Sequence, residues 1–279
     1  MIQKKLSFKL SSVVPLIVVV ILAAIYFFPI VLMLTTAVKT NDQAFNTALG
    51  LWPKTFHLEN FRTVFEIMPF GRYAFNSLYV SVLSVLGIVL SCPMVAYSLS
   101  KIKWTGREAV FSLTTACMMI PYTVTMVPLY RMWSGAGLVG TFWPLILPAF
   151  FGAPFYIIIL RQFMLTIPDE LLEAAEIDGC SRWGIYVKLV FPLSKPGIAT
   201  ISIFAFMNAF SDFMGPLLYA NSKDHYTLSI GLHAFLNEHT VNWTGLMAAA
   251  TIFMVPIMVV FLFCQRKIID GISTSGLKG

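Results

Sequence analysis

Five carboxylates fall between Asp169 and Asp178, namely Asp169, Glu170, Glu173, Glu176 and Asp178, with no Lys or Arg among them. Grouped acids of this kind serve as acid–base pairs in catalysis or as partners for positive charge on another surface. A helix resting on lipid headgroups would instead carry a Lys- and Arg-rich polar face, so the acidity favours a protein partner presenting a basic cleft. Asp212 is a further isolated carboxylate, set in an apolar run with Asn208 four residues earlier and Ser211 adjacent. An enzyme would need a nucleophile with a base, or a metal set, and Asp212 alone supplies neither. The histidines His57, His225, His233 and His239 match no standard zinc spacing, and Cys92, Cys117, Cys180 and Cys264 form no CxxC pair, so no metal site is expected. No GxxxxGK[ST] phosphate loop is present, so the chain is not expected to bind ATP itself.

These groups must be held by elements that water does not solvate. The 279 residues are 58% hydrophobic and only 11% charged, against roughly 25% charged in soluble domains. With charges taken as fences, six long apolar gaps remain: Ser11 to Val38, Tyr73 to Ser100, Ala109 to Tyr130, Met132 to Leu160, Gly197 to Ser222 and His239 to Gln265. Each is long enough for a membrane-spanning helix, and only the fifth holds a charge, Asp212. The expected fold is all-α and integral to the membrane, with six transmembrane helices and no soluble domain. The first gap follows Lys4, Lys5 and Lys9 but is too long for a secretory signal, and reads as a retained helix over about residues 12–37.

An even number of spans puts both termini on one side. The N-terminus, Lys101 to Glu108, Arg161 to Pro196 and the tail hold 13 of the 19 Lys and Arg, which places them in the cytoplasm by the positive-inside rule. That bias also accounts for the net charge of +6 without a nucleic-acid surface. Short helices are expected around Glu59 to Glu66 and Ser229 to Leu236 in the opposite loops. Prolines recur inside the spans, including Pro29, Pro93, Pro121, Pro128 and Pro256, where the carbonyls they free need a neighbouring helix or a water-filled cavity.

The acidic segment lies in the loop 161–196 and reads as a helix, a break and a second amphipathic piece. Thr166 is positioned to cap the helix with Asp169 three residues on, Pro168 sits near its start, and Gly179 can end it in left-handed geometry. Leu171, Ala174, Ala175 and Asp178 share one face by helical spacing, and Ala175 with Gly179 leaves a shallow surface for close approach. Glu173 and Glu176 are placed to pair with cations around it.

EAAEIDG, nine further residues and then LVFP resemble the EAA loop of the permease subunits of ATP-binding-cassette importers. In that family Glu-Ala-Ala is followed by three residues, Gly, nine residues and Ile-x-Leu-Pro. Glu173, Ala174, Ala175, Gly179 and Pro192 match, while Leu189 and Phe191 depart conservatively. MIPYTVTMVPLY, GLVGTFWPLILP and the tail DGISTSGLKG resemble the shorter, maltose-type permease partner of the carbohydrate-uptake class. Near Asp212 the chain reads AFSDFMGPL, with Phe210 and Ser211 where the class has Trp and Asn.

The resemblance implies a type I importer permease fold as one transmembrane domain over residues 1–279, with a core over about 72–266 and a cytoplasmic tail over 266–279. It implies a pore half that imports a carbohydrate or related polar solute across the cell membrane. It further implies that the segment from Glu173 through Asp178 to Gly179 is a coupling helix seated in an ATPase subunit. The implied partners are a homologous second permease, two cytoplasmic ATPase subunits that carry ATP and Mg, and an external solute-binding protein. A translocation path is expected beside Asn208, Ser211 and Asp212, because an intramembrane carboxylate should face a cavity or a partner helix. The rival reading is a proton-coupled secondary carrier that relays through Asp212. Such carriers usually show related halves, and no internal repeat is evident.

Overall fold

The computed structural model describes residues 10–45, 50–236 and 242–276, and every described element is a helix or helical turn. The basic N-terminal stretch Lys4 to Lys9, His239 and the last three residues of the tail lie outside the described residues. Two compact units are formed, one from residues 1–68 with 232–254, the other from residues 69–231 with 255–279.

In the first unit, α1 (Leu10–Ala37) is long and apolar enough from Val14 onward to cross a membrane. Its side chains from Val14 to Phe28 are largely exposed, as expected of a surface solvated by lipid rather than by protein. The C-terminal end of α1 is where burial begins. There Asn60 Nδ2 donates to the carbonyls of Ala37 at 2.9 Å and Lys39 at 2.8 Å, while Lys39 Nζ donates to Gly50 O at 3.0 Å. The bond to Ala37 O satisfies a carbonyl that the end of α1 leaves without a partner, while those to Lys39 O and Gly50 O tie the loop that follows. Asn60 is carried by α3 (Glu59–Ile67), which realises the short helix expected there, after a brief α2 (Asn41–Phe45). Asn41 Oδ1 accepts from both the amide and the hydroxyl of Thr244 at 3.2 Å.

The second unit is built on α4 (Phe70–Ser100), which at 31 residues is about 46 Å long. One of its faces is a buried stripe of small residues that includes Ser77, Ser81, Ser84, Gly87, Ser91 and Cys92. Small side chains let neighbours approach the backbone: a Cβ on Gly87 would sit 2.7 Å from the Phe150 ring, and Ser91 Oγ donates to Ala149 O at 2.9 Å.

The third apolar gap, expected as one span, is two helices. α5 (Arg107–Cys117) and α6 (Tyr122–Gly135) meet at 96° across Met118 to Pro121. Pro121 supplies no amide for a continuing ladder and disfavours helical geometry at Ile120, which suits the turn there. The next span is assembled from α7 (Trp143–Ile146), a 3₁₀ turn (Leu147–Phe151) and α8 (Pro154–Leu165), interrupted at Gly152 with φ +88°. Taken together, Trp143–Leu165 is long and apolar enough to cross a membrane.

After α9 (Asp169–Ile177) come α10 (Arg182–Ile185), a π turn (Tyr186–Val190) and α11 (Phe191–Leu193). This run meets α12 (Lys195–Ser211) at 73°. The fifth apolar gap is thus helical only to Ser211, breaks at Asp212 and resumes as α13 (Met214–Tyr219). The helix expected over Ser229 to Leu236 is a short α14 (Leu228–Leu232) followed by a 3₁₀ turn (His233–Phe235). α15 (Trp243–Gly276) closes the chain and contains Pro256 without a break. The best-buried core joins Cys92, Ala96 and Leu99 of α4 to Leu160 and Met164 of α8, Ile185, Val190 and Ile201. It lies directly against the acidic segment.

Candidate functional site

α9 begins without the side-chain cap expected from Thr166. That hydroxyl instead donates to Phe163 O at 2.7 Å and closes α8, while Pro168 in extended geometry starts α9. The hydroxyl found a nearer carbonyl three residues back, a local bond that competes with capping. The other end is as expected. Gly179 has φ +81°, Gly179 N donates to Glu176 O and Cys180 N to Ala175 O, each at 3.0 Å, which is the Schellman closure.

The four residues expected to share a face divide. Leu172 is buried and Ala175 packs with Cys180 against the core, whereas Leu171, Ala174 and Asp178 stay exposed. Ile177, 87% exposed, extends that outer surface with an apolar side chain. Glu173 and Glu176 line a polar cleft of about 220 Å³ together with Tyr97, Lys103 and Arg182. Lys101 lines the same cleft. Pro192 is exposed in α11, where it sits at the bend leading into α12.

Sequence reasoning missed Lys101. Its side chain is only 3% exposed, and Nζ donates to Ile167 O at 2.5 Å and to Asp169 Oδ1 at 2.6 Å. The Asp169 carboxyl is held below its ordinary value of 3.8 chiefly by that hydrogen bond, so it is a carboxylate at neutral pH. Two further ties leave the same end of α4. Tyr97 OH donates to Arg182 O at 3.2 Å, and Arg161 Nε donates to Leu99 O at 3.1 Å. The Arg161 guanidinium also lies 3.8 Å from the centre of the Phe111 ring.

Asn208, Ser211 and Asp212 are brought together on the wall of a cavity of about 530 Å³ between α4, α12 and the 3₁₀ turn. Asn208 Nδ2 donates to Tyr156 OH at 3.2 Å. Ser84 Oγ lines the same cavity, is buried, and has no hydrogen-bond partner among the described residues. Asp212 is not inside a helix: its Oδ1 accepts from Gly215 N at 3.2 Å and its backbone carbonyl accepts from Ser229 Oγ at 2.5 Å. The carboxylate thus closes the first turn of α13 while facing the cavity. An open hollow so lined offers hydroxyl, amide and carboxylate groups to a polar solute, and none of the described residues on its wall carries a cationic side chain.

Residues 85–273 match the family described as binding-protein-dependent transport system inner membrane component. The chain is 36% identical over 228 residues to the arabinooligosaccharides transport system permease protein AraQ of Halalkalibacterium halodurans, covering 81% of each chain. It is 30% identical over 254 residues to the AraQ protein of Bacillus subtilis, covering 90% of each. With the diacetylchitobiose uptake system permease protein DasC of Streptomyces coelicolor it shares 29% identity over 252 residues, covering 90% and 91%. Among solved structures, a bacterial ABC transporter involved in the import of the acidic polysaccharide alginate superposes with a TM-score of 0.78 at 20% identity, over 91% of this chain and 95% of that one. At that identity the likeness establishes the fold alone, shared with a chain of that ABC transporter. Sequence, span architecture and family match converge: the chain belongs to the binding-protein-dependent transport system inner membrane components and is a membrane permease subunit.

Proposed function

We propose that the chain forms half of the translocation pore of an ATP-driven importer for an oligosaccharide or related polar solute. Four helices qualify as spans on their own and two bent pairs complete six, with both termini in the cytoplasm by the distribution of Lys and Arg. A second, homologous permease completes the pore. Two ATPase subunits bind ATP and Mg, and an external solute-binding protein delivers the solute. The names of the relatives supply the solute class, since AraQ and DasC are permeases for arabinooligosaccharides and diacetylchitobiose. The structure of the alginate transporter with a pentasaccharide-bound periplasmic protein is an example of such delivery.

The observation that carries the coupling role is the outer surface of α9. Leu171, Ala174 and Ile177 expose apolar and small side chains on a helix whose other face is locked to the core. An apolar helix face rimmed by acids suits a groove with a basic edge. The proton-coupled carrier built on Asp212 gains no support, because the family is binding-protein-dependent and the carboxylate is engaged by the Gly215 amide.

The test is Glu173→Lys in the complete transporter expressed in cells. A solute taken up by the wild type is first chosen from a panel of arabinooligosaccharides and chitobiose derivatives. Uptake is expected to fall at least tenfold with the chain still inserted and assembled. Wild-type uptake by the variant would overturn the coupling assignment.

A further inference from the structure

The last turn of α4 is fastened on both sides of α9. Upstream, Leu99 O receives Arg161 and Lys101 holds both Ile167 O and Asp169; downstream, Tyr97 holds the Arg182 carbonyl. Lys101 is the one of these ties that reaches α9 itself, and its burial is lopsided. The lysine side chain is 3% exposed while that of Asp169 is 72% exposed. An ammonium so enclosed persists only where its donors are satisfied, so its position is tightly set by the Ile167 carbonyl and the Asp169 carboxylate.

The same helix continues past the cavity wall at Ser84 and Ile88. Its N-terminal end is fastened as well. Arg72 pairs with Asp224, Asn76 Nδ2 donates to the carbonyls of Asp224 at 2.8 Å and Tyr226 at 2.9 Å, and Leu228 N donates to Ser77 Oγ at 2.9 Å. α4 is therefore one uninterrupted helix bonded at one end to the acidic helix and at the other to the segment 224–228, and its middle lines the cavity.

We propose that Lys101 is a positioning residue that makes α9 and α4 move as one body, so that a displacement of α9 is passed along α4 to the cavity wall and to the segment 224–228. This rests on the reading of α9 as the helix an ATPase moves. The transmission is mechanical: a rigid helix with both ends bonded carries displacement without a change in its own hydrogen bonds.

The experiment uses the transporter purified with its partner subunits in lipid nanodiscs, and amide hydrogen exchange with and without ATP, Mg and vanadate. No solute is required. In the wild type, trapping nucleotide is expected to change exchange at residues 211–215 and 224–228. Lys101→Met is expected to shrink that change at least fivefold and to raise exchange across α9 about tenfold, while ATP hydrolysis continues. Lys101→Arg, which keeps the charge and donors, is expected to restore most of both.

A full-sized nucleotide response in Lys101→Met would overturn the proposal, as would α9 exchange equal to wild type. Glu173→Lys run in parallel separates the two readings. If it abolishes the response while Lys101→Met does not, only the role of Lys101 fails; if neither alters it, the coupling reading fails. Should Lys101→Met not assemble, Asp169→Asn tests the tie from its exposed side. It is expected to raise α9 exchange about threefold, and unchanged exchange there would also overturn the proposal.

Discussion

Replacing Gly179 by alanine isolates the backbone cost of ending α9. At φ +81° the residue is left-handed, and a Cβ built there meets nothing within 4 Å. The substitution therefore causes no clash, and its cost is conformational. An L side chain in the left-handed region costs roughly 1–2 kcal/mol, offset in part by about 0.4–1 kcal/mol of entropy that glycine had in the unfolded chain. A net cost of about 1 kcal/mol is a factor of about five in the opening of the turn. The three amides that report it are Asp178, Gly179 and Cys180, which bond to Ala174, Glu176 and Ala175. Hydrogen exchange on the chain purified in detergent should show these amides about fivefold faster in Gly179→Ala. Gly179→Asn should show about twofold, because asparagine tolerates this geometry better. If Ala left exchange unchanged, or Asn proved as damaging as Ala, a left-handed stop would not be what terminates the helix.

Gly197→Ala fails for the opposite reason. Its Cβ would lie 2.9 Å from Phe163 Cγ and 3.2 Å from Cδ1, so overpacking should cost about 1–3 kcal/mol, read as a lower thermal midpoint in detergent and partly relieved by Phe163→Leu. An unchanged midpoint would contradict the close contact of α12 with α8. Asp212→Asn keeps an oxygen to accept the Gly215 amide but cannot relay a proton, so uptake should persist; Asp212→Ala loses a hydrogen bond worth about 1 kcal/mol and should weaken the chain. Equal loss of uptake in both variants, with folding intact, would point to the carboxyl proton itself.

The spans were legible where an apolar run is unbroken. α1 and α4 lie within or close to charge-free gaps, whereas α15 begins inside the last gap and runs on past Gln265 through Arg266, Lys267 and Asp270 to Gly276. Where a run contains helix-breaking residues, hydropathy alone did not locate the break. Pro121 turns the chain by 96°, whereas Pro93 and Pro256 sit within continuous helices, so the residue type does not decide between kink and break. In α9 the glycine stop and the acidic first turn were legible, but the start was not. Thr166 fits a capping pattern, and only the fold shows that its hydroxyl serves Phe163. Lys101 was invisible for a different reason. A lysine beyond the end of a span reads as an orienting charge, and its burial depends on a carbonyl 66 residues away.

The break at Asp212 joins these threads. A carboxylate in hydrocarbon costs about 2.5–3.5 kcal/mol, and an interrupted helix adds backbone groups that lipid cannot satisfy. Here each liability answers the other: the carboxylate takes the Gly215 amide, and Ser229 takes the Asp212 carbonyl. The break is thereby stabilised beside a cavity whose wall also carries Asn208 and Ser211 from the last turn of α12. The opposite wall is α4, through Ser84 and Ile88. A displacement of α4 relative to α12 would therefore reshape the chamber without unfolding either helix. The acidic helix lies far along the chain from Ser84, yet it is bonded to the last turn of the helix that carries it. On the proposed reading, the polar groups of the cavity and the acidic helix need share no residue, only α4.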